Sequence, residues 1–168
     1  NSDKVYINRN VASAEMAVVS ASEKEHAMKN PEKVILGYFS GTKTHDKDFR
    51  EIKDVLLEIM KTHDNVWLKV GGQITLPKEF SACSDRIETF DFVSWKKLPK
   101  RIASVDINLM PLENTVFHEC KSENKWQEAA LVGVPTIASY NDELAIAITD
   151  GEDGFLCKDA EEWRLKLE

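Results

Sequence analysis

Cysteine is scarce in this sequence. The three cysteines, Cys83, Cys120 and Cys157, are widely spaced and form no CxxC pair. An odd number of cysteines without a close pair predicts neither a disulfide framework nor a zinc knuckle. We therefore expect a reducing environment and a cytoplasmic location.

Long apolar runs are also absent. No stretch of about 18 apolar residues occurs, so no membrane-spanning helix is predicted. The start, NSDKVYINRN, lacks the apolar segment of a secretory signal. Because the chain begins without Met and ends on the charged helical run EEWRLKLE, we interpret it as an excised fragment of a longer chain.

The sequence has no excess of positive charge. It carries 22 Lys and Arg against 29 Asp and Glu, a formal net charge of -7, and the two signs are mixed along the chain. This charge balance disfavours electrostatic binding of nucleic acid phosphates over a broad surface, but it is compatible with a local anion-binding site. A length of 168 residues is typical of a single domain, so we expect one fold unit over 1–168.

Short apolar runs alternate with amphipathic stretches from residue 34 onward. The predicted strands are 34–39 (VILGYF), VWLKV ending at Gly71 and Gly72, IETFDFV, DINLMPL, PTIAS and FLC. Between them, apolar residues at three- and four-residue spacing predict helices, including one over 46–61 capped by Asp46 or Thr44. This alternation predicts an α/β fold, a Rossmann-like, doubly wound parallel sheet.

The loop SGTKTHDK, residues 40–47, has the composition of a phosphate cradle. Gly41 allows close backbone approach, the helix that follows offers free N-H groups, and Lys43 and Lys47 supply positive charge. The P-loop spacing is absent, and a polar loop that only caps the helix is the alternative. The letters Asp46-Lys47-Asp48 spell a DxD motif, but they precede a helix instead of ending a strand, so no metal site is expected there.

The segment CKSENKWQEAALVGVP, residues 120–135, is the second candidate. Lys121 and Ser122 stand at a predicted helix start, where free N-H groups and the helix dipole favour a diphosphate. Glu128 follows about a turn and a half later, and its carboxylate could accept hydrogen bonds from both ribose hydroxyls. The alternative is a solvated helical Glu.

The run EAALVGVPTIAS from Glu128, followed by DGEDGFL from Asp150, resembles the "EAxAxGxPVxA... DGxxGxL" region of retaining GT-B glycosyltransferases of the group 1 or family 4 class. Phe39-Ser40-Gly41 with Lys47 is similar to that family's strand, glycine and phosphate-binding lysine, and LPKRIASVDINL is similar to its "LPxLIAxADVxLxPS" stretch. The resemblance extends over about 34–157. It implies the carboxyl-terminal domain that binds a nucleotide diphosphate-sugar, with residues 1–30 as linker and first elements.

Carried over by position, the resemblance implies that Lys47 contacts the phosphates, Lys121 and Ser122 face the diphosphate, and Glu128 binds ribose. Two family positions differ. Eight residues before Glu128 stands Cys120, with Glu119 one residue earlier, and the family's phosphate-contacting Arg is Thr42 here. Either Glu119 serves as the first Glu, or Lys121 and Lys43 supply the missing contacts.

These arguments yield two sets of predicted site residues. The catalytic set is Lys47, Lys121 and Glu119, and the donor-binding set is Gly41, Thr42, Lys43, Lys47, Lys121, Ser122 and Glu128, without a metal cofactor. Of the four tryptophans, Trp95 is the best candidate for stacking on a ligand, and His118 is a candidate contact to phosphate or sugar.

The predicted function is glycosyl transfer with retention from a nucleotide diphosphate-sugar. The resemblance implies that an amino-terminal acceptor-binding domain completes the enzyme, and it assigns any peripheral membrane association to that half. Two alternatives remain: a sugar-nucleotide epimerase of the same fold, and a non-catalytic, flavodoxin-like signalling domain.

Overall fold

Parallel strands form the centre of the molecule. The computed structural model describes residues 4, 6, 9–42, 45–116 and 121–168. The strands are β1 Val34–Ser40, β2 Val66–Gly72, β3 Ile87–Phe90, β4 Ile107–Met110, β5 Thr136–Ser139 and β6 Phe155–Cys157. They pair in the order β3-β2-β1-β4-β5-β6, and every pairing is parallel.

Helices cover both faces of this sheet. Their bounds are α1 Ala14–Glu25, α2 Asp46–Glu51, α3 Lys53–Thr62, α4 Leu98–Ala103, α5 Asn124–Leu131, α6 Asp142–Ala147 and α7 Ala160–Leu167, with a 3-10 segment at Lys78–Arg86. Successive β1 side chains alternate between the two cores: Leu36 and Tyr38 pack in the core beneath α3, and Phe39 packs in the core beneath α4 and α5. The predicted Rossmann-like, doubly wound sheet is therefore confirmed. Among the described residues, no helix combines the length and hydropathy needed to cross a membrane.

The helix predicted over 46–61 is two helices, α2 and α3, separated at Ile52. The N-H of Ile52 bonds to the carbonyl of Phe49, three residues back, so the chain tightens into a 3-10 turn there. A continuous apolar pattern cannot reveal such a break, because Phe49 before it and Leu56 after it are both fully buried. The predicted cap is also wrong for Asp46, whose carboxylate instead accepts the N-H of Thr75 at 3.2 Å, while His45 occupies the N-cap position. Thr44 lies outside the described residues.

Since all the strands run in one direction, the loops after β1, β2, β3 and β4 meet at the same edge of the sheet. The start of α5 is fixed over this edge by Asn108 of β4, which is almost fully buried. Its amide donates to the carbonyl of Lys125 at 3.4 Å and to the hydroxyl of Thr136 at 3.0 Å. The fold thereby holds the first turn of α5 beside the loops that follow β1 and β3.

Candidate functional site

A cleft of about 260 Å³ opens at the carboxyl ends of β1, β2 and β3. One wall is aromatic and consists of Phe90, Phe92 and Trp95. Phe92 is 61% exposed and Trp95 is 41% exposed, so both rings present free surface to a ligand. Trp163, in contrast, is buried, and Trp126 packs against the core. Trp95 is thus placed as the sequence suggested, in the loop after β3 and facing the cleft.

Glycine forms the floor of the cleft. Gly72 has a φ of 95°, a conformation that L side chains rarely adopt, and a Cβ there would collide with the carbonyl of Ser40. A Cβ on Gly71 would collide with the ring of Phe90. Gly41, after β1, faces open space, with only the Phe92 ring 3.9 Å from where its Cβ would be. Gly71 and Gly72 are therefore required by the packing of the chain itself, whereas the backbone at Gly41 is open to the close approach of a ligand.

Glu128 of α5 lines the same cleft. Its carboxylate makes no hydrogen bond with the described residues, and burial raises its pKa above the usual range, an effect that the nearby charge of Lys125 opposes. A solvated helical Glu would show no such shift. Among the predicted donor-binding residues, Glu128 has the clearest placement: half-buried, without a polar partner in the described chain, and facing the cleft.

Lys125 lies one helical turn before Glu128, and the sequence reasoning missed it. Its stem lines the cleft and is part-exposed, but its ammonium nitrogen is buried and has no hydrogen-bond partner among the described residues. The nitrogen sits 4.7 Å from the centroid of the Tyr38 ring. Burial lowers the pKa of Lys125 to about 8. The sequence contains one indication of this position: Lys125 stands three residues before Glu128, and residues three apart lie on the same face of a helix.

A second charged cluster surrounds Asp48 of α2, which is fully buried. One carboxylate oxygen accepts from His45 Nδ1 at 2.7 Å and from Lys121 Nζ at 3.2 Å, and the other accepts from the backbone N-H of Glu113 at 3.0 Å. Burial by itself would raise the pKa of Asp48, but these three donors and the charge of Lys121 hold it well below its usual range. This Asp48 cluster ties together the loops after β1 and β4 and the segment before α5.

The predicted lysines are placed differently from one another. Lys121, predicted to face a diphosphate, is paired with Asp48 and also lies 3.4 Å from His45 Nδ1. Lys47 is exposed on α2 and makes no hydrogen bond or ion pair with the described part of the chain. At this turn it is Asp48, not Lys47, whose side chain points inward. Lys43 lies outside the described residues.

Of the remaining predicted residues, the structure describes Thr42 and Ser122. Thr42 is exposed beside Gly41, and its carbonyl accepts from Ser40 Oγ at 2.8 Å. Ser122 precedes α5, and its hydroxyl accepts from the amide of Asn10 at 3.1 Å. The predictions for Glu119, Cys120 and His118 fall outside the described residues.

The two aspartates of the DxD letters have separate partners. Asp46 accepts from the backbone of Thr75, whereas Asp48 is enclosed by His45 and Lys121. Within the ranges that the structure describes, no group of three or more His, Cys, Asp or Glu side chains is arranged to hold a metal ion.

The family of the chain follows from its sequence. A model of the glycosyl transferases group 1 family matches residues 33–168, which is most of the chain, and the chain belongs to that family. The comparison with curated protein sequences gives no match.

Solved structures share the fold. HepE from Anabaena, crystallised with UDP and glucose, matches with a TM-score of 0.62 at 15% identity over 93% of this chain and 42% of its own. WaaG, a glycosyltransferase involved in lipopolysaccharide biosynthesis, matches with a TM-score of 0.60 at 16% identity over 93% of this chain and 43% of its own. The chain thus spans less than half of either protein.

A shorter structure is matched over most of its length. The C-terminal domain of LpcC, a glycosyl transferase group 1 family protein from Francisella tularensis, matches with a TM-score of 0.57 at 18% identity over 92% of this chain and 81% of its own. At these identities the likeness establishes the fold, that of GT-B glycosyltransferase domains.

Proposed function

We propose that this chain is the donor-binding domain of a glycosyltransferase and that its cleft holds the nucleoside of a nucleotide diphosphate-sugar. The observation that carries the proposal is the position of Glu128, a half-buried carboxylate that faces an aromatic cleft and has no partner among the described residues. Such a group gains most from a ligand that donates two hydrogen bonds, as vicinal ribose hydroxyls do. The UDP bound to HepE, a protein of the same fold, supports this choice.

The walls of the cleft suit a nucleobase. Phe92 and Trp95 offer exposed aromatic surface, and stacking of a base on such rings is worth about 1–3 kcal/mol. The open backbone at Gly41 allows the base to lie close to the carboxyl end of β1. With the ribose on Glu128, the diphosphate extends toward the start of α5 and the segment that holds Lys121 and Ser122.

In the transfer reaction, the bond between the anomeric carbon and the diphosphate oxygen breaks, and the diphosphate leaves with the electron pair. Lysines and helix-terminal N-H groups stabilise the charge that develops on it. The acceptor oxygen bonds to the anomeric carbon on the face that the diphosphate left, so the configuration is retained. The proton of the acceptor hydroxyl goes to a base of the acceptor-binding half. No metal is needed, and we expect EDTA to leave nucleotide binding unchanged.

A second domain would complete this site. The cleft of about 260 Å³ is smaller than the roughly 300–1,000 Å³ typical of complete small-molecule pockets. We propose that the acceptor-binding domain of the same enzyme supplies the opposite wall, and that the chain alone binds nucleotide but transfers no sugar. This half would also provide any contact with a membrane.

The test begins with a thermal-shift screen of the wild-type chain against UDP, GDP, ADP and dTDP, because a ligand of the folded state raises Tm. For the nucleotide that binds, Glu128→Gln should weaken affinity by about 1.5–3 kcal/mol, the range for hydrogen bonds to a charged group, measured by calorimetry. The 2′-deoxy form of the nucleotide should lose much less, since one hydroxyl is already gone.

The matched control is Glu58→Gln, an exposed glutamate on α3, far from the cleft in the fold. It should leave both affinities unchanged. Equal losses for the ribo and deoxy ligands on Glu128→Gln would contradict the ribose contact, and no binding by the wild type would contradict the donor-binding assignment itself.

A further inference from the structure

The ammonium of Lys125 is buried, and no carboxylate of the described residues is in contact with it. It makes no hydrogen bond with the described residues and rests on the face of Tyr38, whose hydroxyl donates to the carbonyl of His45 at 3.0 Å. Lysine is almost never fully buried unless it is paired. A buried charge of this kind is costly until an opposite charge reaches it, and the described residues provide no such contact in the ligand-free protein.

The helix makes this placement more unusual. Lys125 is the second residue of α5, where the dipole and free N-H groups favour negative charge and oppose a lysine. Nothing in the local structure of α5 therefore accounts for a cation here. An anion bound at the start of the helix would satisfy the N-H groups and the ammonium together.

The two predicted lysines that the structure describes, Lys121 and Lys47, do not line the cleft. The charge of Lys121 is already met by Asp48 at 3.2 Å, and Lys47 is exposed on α2, a helix whose Asp48 points inward instead. The stem of Lys125, in contrast, lines the cleft on the same helix face as Glu128.

We propose that Lys125 is the cation that binds the diphosphate of the donor, and that its ammonium turns from the face of Tyr38 into the cleft when the nucleotide enters. This inference rests on the proposed function, because it takes the nucleoside to be bound at Glu128. The four side-chain bonds of lysine allow the ammonium to move while its stem remains against the cleft wall. The bound diphosphate then supplies the direct hydrogen-bonding partner that the ammonium lacks among the described residues.

The first experiment compares ligands with and without phosphate. Whichever of UDP, GDP, ADP and dTDP binds the wild-type chain is titrated by calorimetry, and its nucleoside is titrated by NMR chemical shifts. Lys125→Met, which keeps the length of the stem, should lose about 10- to 100-fold in affinity for the diphosphate and less than about 2-fold for the nucleoside. Lys61→Met, an exposed lysine on α3, is the matched control and should change neither.

The second experiment needs no variant. Asp48, Lys121 and Glu128 are the charged groups that act on Lys125, and in the empty cleft its pKa is about 8. At about pH 8.5, where Lys125 is mostly neutral, binding of the diphosphate should draw a proton onto it, more than about half a proton per site. The sugar nucleotide of the same base is the probe, because its diphosphate does not titrate in this range. Calorimetry in buffers of different ionisation enthalpy measures the uptake.

The outcomes separate this inference from the proposed function. Wild-type binding with no loss in Lys125→Met, an equal loss for diphosphate and nucleoside, or no proton uptake would overturn the role of Lys125 and leave donor binding intact. A large loss in Lys47→Met with none in Lys125→Met would transfer the role to Lys47. If the wild type binds none of the nucleotides, the proposed function fails, and this inference fails with it.

Discussion

Asp48 and Glu128 are both carboxylates set into the same edge of the sheet, yet their surroundings shift their pKa values in opposite directions. For both residues, burial favours the protonated form. At Asp48, donors from His45, Glu113 and Lys121 overcome that effect, whereas at Glu128 burial prevails because no donor among the described residues reaches it. Burial alone therefore does not decide the direction of the pKa shift of a carboxylate, because the hydrogen-bond donors around it can outweigh burial.

The lysines repeat this contrast. Lys121 and Lys125 are four residues apart, and each belongs to one of the two clusters. Lys121 is paired with Asp48, while among the described residues the ammonium of Lys125 contacts the face of Tyr38 and makes no hydrogen bond. The Asp48 cluster is satisfied within the chain and holds three segments in place. The pair of Lys125 and Glu128 makes no hydrogen bond with the described residues, and we propose that a ligand binds there. Functional sites are where such unsatisfied groups are expected to collect.

The largest effect should come from breaking the satisfied cluster. Asp48→Ala leaves the N-H of Glu113 and the charge of Lys121 without their acceptor, and removal of one partner of a buried ion pair costs about 3–5 kcal/mol. We expect the free energy of unfolding, measured in urea, to fall by about that much. The control is Asp54→Ala, whose side chain is 89% exposed and which should change stability by less than about 0.5 kcal/mol. A loss below about 1 kcal/mol for Asp48→Ala would show that the cluster is not structural.

The second substitution should raise the free energy of unfolding instead of lowering it. Lys125→Met replaces a buried ammonium, which makes no hydrogen bond with the described residues, with an apolar side chain of similar length. We expect the ligand-free protein to become more stable by about 1–3 kcal/mol at pH 7. The folded-state pKa of Lys125, about 8, lies below its ordinary value of 10.5. The unfolded chain therefore binds more protons between these two values, and wild-type stability rises with pH there.

The advantage of Lys125→Met should accordingly shrink as the pH rises from about 8 toward about 10.5. Urea denaturation of both proteins at several pH values measures it, and the difference between the two proteins cancels the titration of the other groups. A variant that is less stable than the wild type at pH 7 would mean that the ammonium has a partner in solution.

Much of the fold could be predicted because parallel strands buried on both faces appear as short apolar runs. VILGYF and VWLKV are strands as predicted, and their order along the chain fits the doubly wound sheet. The break at Ile52 could not be predicted, since it preserves the apolar spacing on both sides. The bounds of α5 also differ: the helix begins at Asn124, two residues after the predicted start at Ser122.

The site was predictable in part. The placement of Glu128 in the cleft follows from the helix that carries it and from the loops that meet at its edge. Lys125 was missed because a Lys three residues before a Glu on a helix is usually an exposed pair, and only the packing of α5 shows that this one points inward. The role of Asp48 was hidden for a similar reason. Within Asp46-Lys47-Asp48, the side chain of Asp48 is buried and that of Lys47 is exposed, and the sequence alone does not show which of these residues faces the core.

The smallest effect compares the two carboxylates directly, with isosteric amides. Glu128→Gln should change the stability of the ligand-free protein by less than about 0.5 kcal/mol at pH 7, or raise it slightly, because no donor among the described residues is lost. Since the folded-state pKa of Glu128 is raised, its contribution to stability is present at low pH and is lost as the pH rises through that pKa. Any advantage of Glu128→Gln should therefore vanish as the pH falls toward about 4.

The stability of Asp48→Asn relative to the wild type should depend on pH in the opposite direction. The lowered pKa of Asp48 contributes stability above its unfolded-state value, so the deficit of Asp48→Asn is largest at neutral pH and shrinks as acid protonates the wild-type carboxylate. Urea denaturation of the three proteins between about pH 2 and 7 gives both slopes, because the Asp48 effect changes below its unfolded-state pKa of 3.8 and the Glu128 effect above about pH 4. Slopes of the same sign would refute the distinction between a carboxylate satisfied by the fold and one left for a ligand.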